Sequence, residues 1–464
     1  MTTRKLQDFR VRVITWNLGS TYPLEDLHSL LGVKAPFEVE LLPDMIVVGL
    51  QEVSVRPDNM AYQAMFGDSW VNAFLSCLYR HDYVQLICNR LQGIILVVFT
   101  RREHLLFVRN VAVSRVRTGL AGFWGNKGAC VVSFCVNDTW MSFVNAHLAA
   151  HDHEYRRRIM DYNAIVSMAT LPNPAPHLLT HDYVFWFGDL NFRLDDITLH
   201  ELRTADENGT IVEMLIYDQL KRAQSSSEAF EMFDELPINF RPTFKFVIGT
   251  SDYKFKNRKP AWTDRILFRC AETRKDQSDE PLSIKGEEYC SHEDYVQSDH
   301  KPVSALFTVK VLERRDPPAD KVYFLNTTDW TLQDGFEIWF CTAATARLRR
   351  TDWIALLPHR FTSLERYRAF VWVDTQRATR TGHPDDVILR DGDELLPSPR
   401  LLYRQIFTDR AGIAPGYYVL VYFRSTCDVL GISPPFEVIN RHVKRPSKLS
   451  VHRGGHPYYF RFSS

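Results

Sequence analysis

Acids, amides and one histidine gather in five short segments, each beside an apolar run of the chain. The segments are TWNLG (15–19), LQEV (50–53), FWFGDLNFR (185–193), PAWTDR (260–265) and SDHKP (298–302). They supply seven candidate functional residues: Asn17, Glu52, Asp189, Asn191, Asp264, Asp299 and His300. Carboxylate and amide oxygens without cysteine ligands suit a hard cation such as Mg²⁺. Such an ion polarises a phosphate oxygen and stabilises charge on a departing oxygen. The pattern therefore indicates metal-assisted chemistry at a phosphate.

Each residue also has a simpler structural explanation when it is considered alone. Asn17 can cap a turn, Asp189 and Asn191 can form an Asx turn after a strand, and His300 can be a structural histidine. Five such segments in one chain favour a shared site, because chance rarely ends five strands with acids, amides and a histidine.

The elements that would position these residues alternate between strands and helices. Seven short apolar runs predict strands covered on both faces: 11–16, 45–50, 94–99, 129–134, 140–147, 183–188 and 303–310. Between them, residues 61–78, 154–168 and 211–222 have helical spacing. A layered α/β domain follows, with the polar segments at the carboxyl ends of its strands.

The pattern changes after RRDPPAD (314–320), where two prolines and several charges indicate a linker. Aromatic-rich strand signals such as FEIWFC, DWIALL and GYYVLVYF follow, separated by turns and without helical spacing. We therefore predict an all-β sandwich over 321–440, after a linker at 313–320. The basic tail at 441–464 is either a flexible end or a weak contact patch.

Composition limits the classes of function that the chain can have. Its 464 residues favour two domains. Lysine plus arginine and aspartate plus glutamate both number 56, so no global positive field attracts nucleic acid or an anionic membrane. The eight scattered cysteines are typical of reduced core cysteines in a cytosolic protein. No apolar run reaches the roughly 18 residues of a spanning helix, so we expect membrane contact to be peripheral.

Two of the segments resemble the signature motifs of the inositol polyphosphate 5-phosphatases. These are FWFGDLNFR and RKPAWTDRIL (258–267), and the resemblance extends over residues 9–312 through GLQEV, GNKGA, NAHLAAH and SDHKPV. It implies a four-layer α/β/β/α sandwich of the DNase I type and Mg²⁺-dependent hydrolysis of the 5-phosphate. The implied substrates are phosphatidylinositol 4,5-bisphosphate, the 3,4,5-trisphosphate and soluble inositol polyphosphates.

The resemblance also assigns roles around the reacting phosphate. Glu52, assisted by Asn17, would hold Mg²⁺. Asp189 would orient or deprotonate the attacking water, with Asn191 beside it. Which group takes the proton of the water stays open at this point.

Five further residues complete this implied centre. His300, paired with Asp264, would contact the scissile phosphate, and Asp299 would lie close to the metal. His147 and Arg265 would contact the phosphate or support the other residues.

A second implied set of residues binds the rest of the head group. Its members are Asn126, Lys127, Lys245, Arg258 and Lys259, the last three forming a 4-phosphate grip. Many relatives carry tyrosine where this chain has Phe244, so one hydroxyl contact to the 4-phosphate is missing. Solvated lysines beside a turn are the alternative explanation of the grip.

Phe123 and Trp124 lie side by side in the glycine-rich segment AGFWG. Two such aromatics are either core anchors or a membrane contact. The resemblance favours the membrane contact, because in this family the loop meets the lipid surface.

The C-terminal region resembles the SKICH domain, so the predicted sandwich is immunoglobulin-like. We expect it to bind unidentified protein partners and to target an enzyme that would stay active without it. The resemblance implies a cytoplasmic enzyme peripherally associated with phosphoinositide-bearing membranes, the endoplasmic reticulum and plasma membrane among them, and no nucleic-acid partner. Two rival interpretations are a nuclease or sphingomyelinase on the same fold and a non-catalytic lipid-binding scaffold.

Overall fold

The computed structural model describes most of the N-terminal region and the strands of the C-terminal region. The described residues are 4–24, 26–34, 41–55, 67–119, 124–172, 175–256, 258–271, 280–314, 318, 320–325, 329–332, 336–343, 346, 348–373, 390–391, 394–395, 400–407, 412–424 and 427–440.

Twelve strands in the described N-terminal region form two mixed sheets of six strands each. The strands are β1 (Leu6–Asn17), β2 (Met45–Gln51), β3 (Tyr83–Leu91), β4 (Ile94–Arg101), β5 (Val108–Gly119), β6 (Trp124–Val136), β7 (Thr139–His147), β8 (Tyr183–Asp189), β9 (Asp234–Glu235), β10 (Asp264–Cys270), β11 (Ile284–Ser291) and β12 (Val303–Leu312). The first sheet has the order β11-β12-β1-β2-β4-β3, and the second has β5-β6-β7-β8-β10-β9.

The two sheets pack face to face, and helices cover their outer faces. The helices are α1 (His28–Leu31), α2 (Ser69–Leu78), α3 (Tyr155–Met168), α4 (Leu199–Glu207) and α5 (Gln219–Ser225). Val47 and Phe185 belong to the core between the sheets. Trp70 of α2 packs on the outside of the first sheet, and Ile165 of α3 packs on the outside of the second. The predicted α/β/β/α sandwich is confirmed.

Strand register brings distant polar residues to one end of the sandwich. In the parallel pairs, Asn17 lies opposite Gln51 and His147 lies opposite Asp189. Antiparallel β10 places Asp264 opposite Asp189 as well. One edge of the sandwich therefore collects side chains from both sheets.

The expectation that all five polar segments follow strands is wrong for two of them. PAWTDR leads into β10, and SDHKP precedes β12. Because β10 and β12 run antiparallel to β8 and β1, their amino ends lie beside the carboxyl ends of those strands.

The helix predictions met three different outcomes. Residues 154–168 closely match α3, and residues 211–222 divide into a 3₁₀ turn, Ile211–Tyr217, and the start of α5. Of 61–78, the described part contains α2, whereas 61–66 lie outside the described residues. Helix α4 was not predicted, although Thr198 and Glu201 form a capping box at its start.

The described C-terminal region is all-β, as predicted. Its strands are β13 (Tyr323–Leu325), β14 (Trp330–Thr331), β15 (Phe336–Ala343), β16 (Asp352–Pro358), β17 (Ala369–Trp372), β18 (Arg390–Asp391), β19 (Glu394–Leu395), β20 (Arg400–Phe407), β21 (Gly416–Arg424), β22 (Asp428–Ile432) and β23 (Phe436–Ile439). Sheets β13-β15-β20 and β14-β23-β21-β16-β17 enclose a core that includes Phe336 and Tyr422.

The two regions pack against each other through apolar side chains. Phe361 and Leu364 of the C-terminal region share one buried cluster with Val84 and Leu86 of β3. Gln85 donates its backbone N–H to the carbonyl of Thr362 at 2.8 Å. The β-sandwich is therefore joined to the edge of the first sheet.

Two simpler expectations concern cysteines and membrane spans. None of the eight cysteines forms a disulfide, and four of them are buried. Among the described helices, none has the length and apolar character needed to cross a bilayer.

Candidate active site

Asp189, at the end of β8, is the centre of the polar cluster and is only 2% exposed. Asn17 donates its side-chain N–H to Oδ2 of Asp189 at 2.9 Å. The backbone N–H of Asn191 donates to Oδ1 at 3.1 Å. Nε2 of His147 lies 3.3 Å from Oδ2, and Nε2 of His300 lies 3.9 Å from it. Burial favours the neutral acid, but His300 and His147 outweigh burial and hold the pKa of Asp189 well below its usual range.

His300 is held by a second buried carboxylate. Its Nδ1 lies 2.8 Å from Oδ2 of Asp264. Thr243 and Thr263 donate to the same oxygen at 2.7 and 2.9 Å. Burial opposes the charge on the imidazole, yet Asp264 and Asp189 raise the pKa of His300 to about 9. His300 is therefore a cation at neutral pH, with Nε2 directed towards Asp189.

Phe244 and Arg193 pack beside His300, and we call these two residues the wall of the site. The ring of Phe244 lies 4.4 Å from the His300 ring, centroid to centroid, and the Arg193 guanidinium lies 4.7 Å from the centroid of the same Phe244 ring. Arg193 donates to Oδ1 of Asn191 at 2.5 Å. Arg193 was not among the predicted site residues, although it is the last residue of FWFGDLNFR.

Glu52 and Asn17 offer oxygens that fit a hard divalent cation. Glu52 follows β2 in the left-handed region, with φ of 54°, and its side chain is 47% exposed. Oε1 of Glu52 lies 3.8 Å from Nε2 of His147. Among the described residues, Oδ1 of Asn17 accepts only the Gly19 N–H, which leaves a lone pair for a metal. Glu52 and Asn17 offer oxygen atoms and no sulfur, which fits the preference of a hard cation for oxygen ligands.

Lys127 adds a positive charge to the same edge of the sandwich. Its Nζ contacts Nε2 of His147. Burial lowers the pKa of Lys127, and burial together with Lys127 lowers the pKa of His147. Its neighbour Asn126 is exposed. Lys127 thus lies inside the polar cluster, and Asn126 lies at its rim.

The predicted 4-phosphate residues lie at the rim as well. Lys245 forms an ion pair with Asp299 at 2.5 Å, and the Lys245 side chain is 28% exposed. Arg258 lies 3.3 Å from a ring nitrogen of His151. Lys259 donates to the carbonyl of Leu194 at 3.4 Å. All three cations are partly accessible, and Lys245 adjoins Phe244 of the wall.

The predicted contact between Arg265 and substrate is wrong in this structure. The guanidinium is fully buried between Asp218, at 2.9 Å, and Glu235, at 2.6 Å. Successive side chains of a strand point to opposite faces, so Arg265 turns away where Asp264 turns towards His300. Arg265 supports the second sheet and does not line the site.

Two predicted residues carry no structural test. Phe123 lies outside the described residues, as does the side chain of Trp124, whose backbone begins β6. Their membrane contact stays a prediction.

Ser298 was also missed as a supporting residue. It donates from Oγ to the carbonyl of Asn17 at 2.7 Å and accepts the N–H of His300 at 3.2 Å. Its place in SDHKP was the available signal.

Two family models match separate parts of the chain. Residues 14–306 match the family described as Endonuclease/Exonuclease/phosphatase family 2. Residues 322–438 match the SKICH domain.

Two curated relatives match over nearly the whole chain. Phosphatidylinositol 4,5-bisphosphate 5-phosphatase A of Rattus norvegicus is 32% identical over 440 residues, which cover 93% of this chain and 42% of the relative. Inositol polyphosphate 5-phosphatase K of Mus musculus is 29% identical over 452 residues, which cover 95% of this chain and 92% of the relative. The chain thus spans less than half of the first relative.

A solved structure supports the architecture of the N-terminal region. The inositol polyphosphate 5-phosphatase domain of SPsynaptojanin, in complex with inositol (1,4)-bisphosphate and a calcium ion, is 30% identical with a TM-score of 0.56. The match covers 67% of this chain and 87% of that domain.

Proposed function

Since the chain belongs to the inositol polyphosphate 5-phosphatase family and carries a SKICH domain, we propose that it hydrolyses the 5-phosphate of phosphoinositides with Mg²⁺ as cofactor. The proposed substrates are phosphatidylinositol 4,5-bisphosphate, the 3,4,5-trisphosphate and soluble inositol polyphosphates. Removal of this phosphate would attenuate phosphoinositide signalling.

The observation that carries the proposal is the buried series Asp189, His300 and Asp264. It places an ionised acid 3.9 Å from a charged imidazole whose other nitrogen is fixed by a second acid. A hydrolase acting on a phosphate monoester needs a group that orients the attacking water and a cation beside the phosphate oxygens. Asp189 and His300 can supply these two functions.

Each residue has a specific task in the proposed reaction. Asp189 accepts a hydrogen bond from the water and aligns it for in-line attack on phosphorus, while Asn17 and Asn191 fix the carboxylate. His300 donates from Nε2 to a phosphate oxygen and stabilises the charge that develops there. Asp264 keeps the imidazole of His300 protonated and fixes the orientation of its ring.

Mg²⁺, when bound, would polarise the scissile phosphate and stabilise the departing oxygen. Glu52 and Asn17 are the residues that would hold it. Their oxygen donors support this assignment, and the calcium ion in the SPsynaptojanin domain supports a divalent cation in the family.

The rim residues support a preference for head groups that carry a 4-phosphate. Lys245, Arg258 and Lys259 offer three cations, and Lys245 can exchange Asp299 for a phosphate. Phe244 has no hydroxyl to add, so the cations carry this contact alone.

We propose further that the enzyme acts from the cytoplasm on membrane-bound lipid at the endoplasmic reticulum and plasma membrane. Phe123 and Trp124 would contact the bilayer, and the SKICH domain would recruit protein partners.

A phosphate-release assay across a panel of phosphoinositides and inositol phosphates tests the activity. We expect release from substrates with a 5-phosphate, no release from phosphatidylinositol 4-phosphate, and loss of release when the metal is chelated. Mg²⁺ should restore it. Release from 4-phosphate-only lipids, or full activity in chelator, would contradict the proposal.

A further inference from the structure

A cavity of about 1050 Å³ lies between the two domains, and its lining is rich in basic side chains. The N-terminal domain contributes Arg80 and Arg102 to this lining, and the SKICH domain contributes His359 and Arg360. We call this cavity the junction cleft. Four basic residues from two domains therefore surround one space.

The junction cleft lies at the opposite end of the first sheet from the candidate active site. Glu52 follows the last residue of β2, whereas Arg102 follows the last residue of β4. Thr100, near that end of β4, lies opposite Met45 at the start of β2. Because β2 has seven residues, its two ends lie about 20 Å apart. A ligand in the cleft would therefore not touch the groups around Asp189.

Arg102 is fixed in place at the junction. It donates to Oδ1 of Asp82 at 2.9 Å and to the carbonyl of Phe361 at 2.7 Å. Its guanidinium lies 4.2 Å from the centroid of the Phe361 ring. Asp82 is the one carboxylate among the described residues that line the cleft. It offsets the charge of Arg102 and leaves the other basic residues uncompensated.

Arg80 and Arg360 are the two arginines of the cleft that form no ion pair within the described part of the chain. Both are exposed. Burial and the nearby charges of Arg360 and Arg102 lower the pKa of His359, which shows that these groups act on one another. The cleft thus holds positive charge that the described carboxylates do not neutralise.

The walls of the cleft between these cations are largely apolar. They include Tyr79, whose side chain is 47% exposed, together with Phe361, Val419, Ile432 and Pro435. A compact carbon ring can pack on such walls while the phosphate groups that it carries reach the arginines. Guanidinium groups suit this contact, because their planar N–H donors match two phosphate oxygens at once.

We propose that the junction cleft binds a small soluble anion with several phosphate groups, of the inositol polyphosphate class. Arg80 and Arg360 belong to different domains, so each can bind a different phosphate of one molecule. A soluble ligand is preferred to a lipid head group, and this choice rests on the proposed function. When the active site faces a bilayer, the cleft lies at the other end of the sheet.

Such a ligand would bridge the two domains. It contacts Arg80 on one side of the junction and Arg360 on the other, so it binds only the assembled arrangement. A ligand that binds the folded form alone stabilises that form by mass action. Binding should therefore raise the Tm of the full chain.

Calorimetric titration and thermal melting of the full chain with inositol hexakisphosphate, in chelator, test the proposal. We expect a raised Tm and one bound equivalent whose affinity falls by at least about tenfold in the double variant Arg80→Gln with Arg360→Gln. Arg350→Gln, at another exposed arginine of the SKICH domain, is the matched control and should change nothing. Equal binding by the parent protein and the double variant would overturn the proposal.

A rim variant separates the cleft from the active site, which can also bind this probe. Lys245→Ala should keep the equivalent that the double variant loses. The double variant should fold by circular dichroism, since both replaced side chains are exposed, and should release the 5-phosphate at a near-normal rate. Loss of all binding in Lys245→Ala would place the probe at the active site and overturn the proposal. A parent protein that binds in the cleft but releases no 5-phosphate would contradict the proposed function alone.

Vesicles distinguish the soluble ligand from a lipid head group. Vesicles that contain phosphatidylinositol 4,5-bisphosphate should bind the parent protein and the double variant equally. Weaker vesicle binding by the double variant, together with unchanged binding of inositol hexakisphosphate, would overturn the soluble source.

Discussion

At the scale of single residues, the site depends on one oxygen of Asp264. This buried atom meets His300, Thr243 and Thr263 at 2.7–2.9 Å, whereas Oδ1 of the same carboxylate has no hydrogen-bond partner among the described residues. A buried acid surrounded in this way fixes both the orientation and the charge of the imidazole.

Replacement of the central acid should remove activity and leave the fold intact. We expect Asp189→Asn to lower kcat by about two decades or more, because the carboxylate no longer accepts the water hydrogen bond. Phosphate release from a soluble inositol phosphate and circular dichroism measure the two effects. Asp8→Asn, on the exposed surface, is the matched control. Near-normal turnover in a folded Asp189→Asn enzyme would remove Asp189 from this role.

The charge of His300 should set the alkaline limit of activity. The pKa of His300 is raised from 6.5 to about 9, so the active protonated form persists below that pH and is lost as pH rises through it. The contribution of this charge to the free energy of unfolding has the same pH dependence. It is complete below pH 6.5 and is lost as the pH rises through about 9.

Asp264→Asn tests this assignment of the alkaline limit. The alkaline limb of kcat should move down towards 6.5 in this variant, because the largest charge that raises the pKa of His300 is gone. A pH profile identical to that of the parent enzyme would show that another group sets the limb.

At the scale of elements, antiparallel pairing decides what each face of a strand does. On β10, Asp264 faces His300, and its neighbour Arg265 faces Asp218 and Glu235. Lys221 of α5 adds a further ion pair to Glu235 at 2.8 Å. The strand thus carries a carboxylate of the candidate active site on one side and a structural charge network on the other.

Arg265→Ala should therefore destabilise the protein. Removal of the guanidinium leaves two buried carboxylates without their main partner, which costs about 3–5 kcal/mol. Urea unfolding measures the change, with Arg203→Ala as a matched exposed control. Unchanged stability together with a higher KM would restore Arg265 to the substrate-binding residues.

At the scale of the whole molecule, the SKICH domain and the N-terminal domain share a buried apolar cluster. Phe361 and Leu364 are each 3% exposed and complete a cluster with Val84 and Leu86. Asp320 bridges the two parts through Arg109, at 3.2 Å, and Arg424, at 3.0 Å. The expectation that the catalytic domain stays active without the SKICH domain stays a prediction, and the shared cluster indicates that the truncated chain is less stable.

Truncation after Val311 should yield an insoluble protein or one with a lower Tm, since it exposes the apolar surface of β3. Within the full chain, Phe361→Ala should cost about 3–5 kcal/mol of unfolding free energy. Tyr417→Ala, whose side chain is 63% exposed, should cost little. A soluble truncated protein with unchanged Tm would show that the interface carries no stability.

Local sequence pattern was sufficient to predict most residues of the polar cluster and the change from an α/β region to an all-β region. FWFGDLNFR holds a buried strand, the turn after it and the residues Asp189 and Asn191 within nine consecutive positions, so local pattern was sufficient for these two residues, whereas Arg193 of the same segment was missed. The spacing of apolar residues and the positions of turn residues likewise distinguished the α/β region from the all-β region. This was possible because a strand buried on both faces is apolar at nearly every position.

Which side of each strand meets the site depends on contacts between segments that are far apart in the sequence. Asp264 and Arg265 are adjacent in sequence, yet Arg265 is neutralised by Asp218 and Glu235, which lie 47 and 30 positions away. The contacts of Phe361 with β3 are likewise remote in sequence. Sheet pairing and packing of distant segments determine these partners, and no local periodicity contains that information.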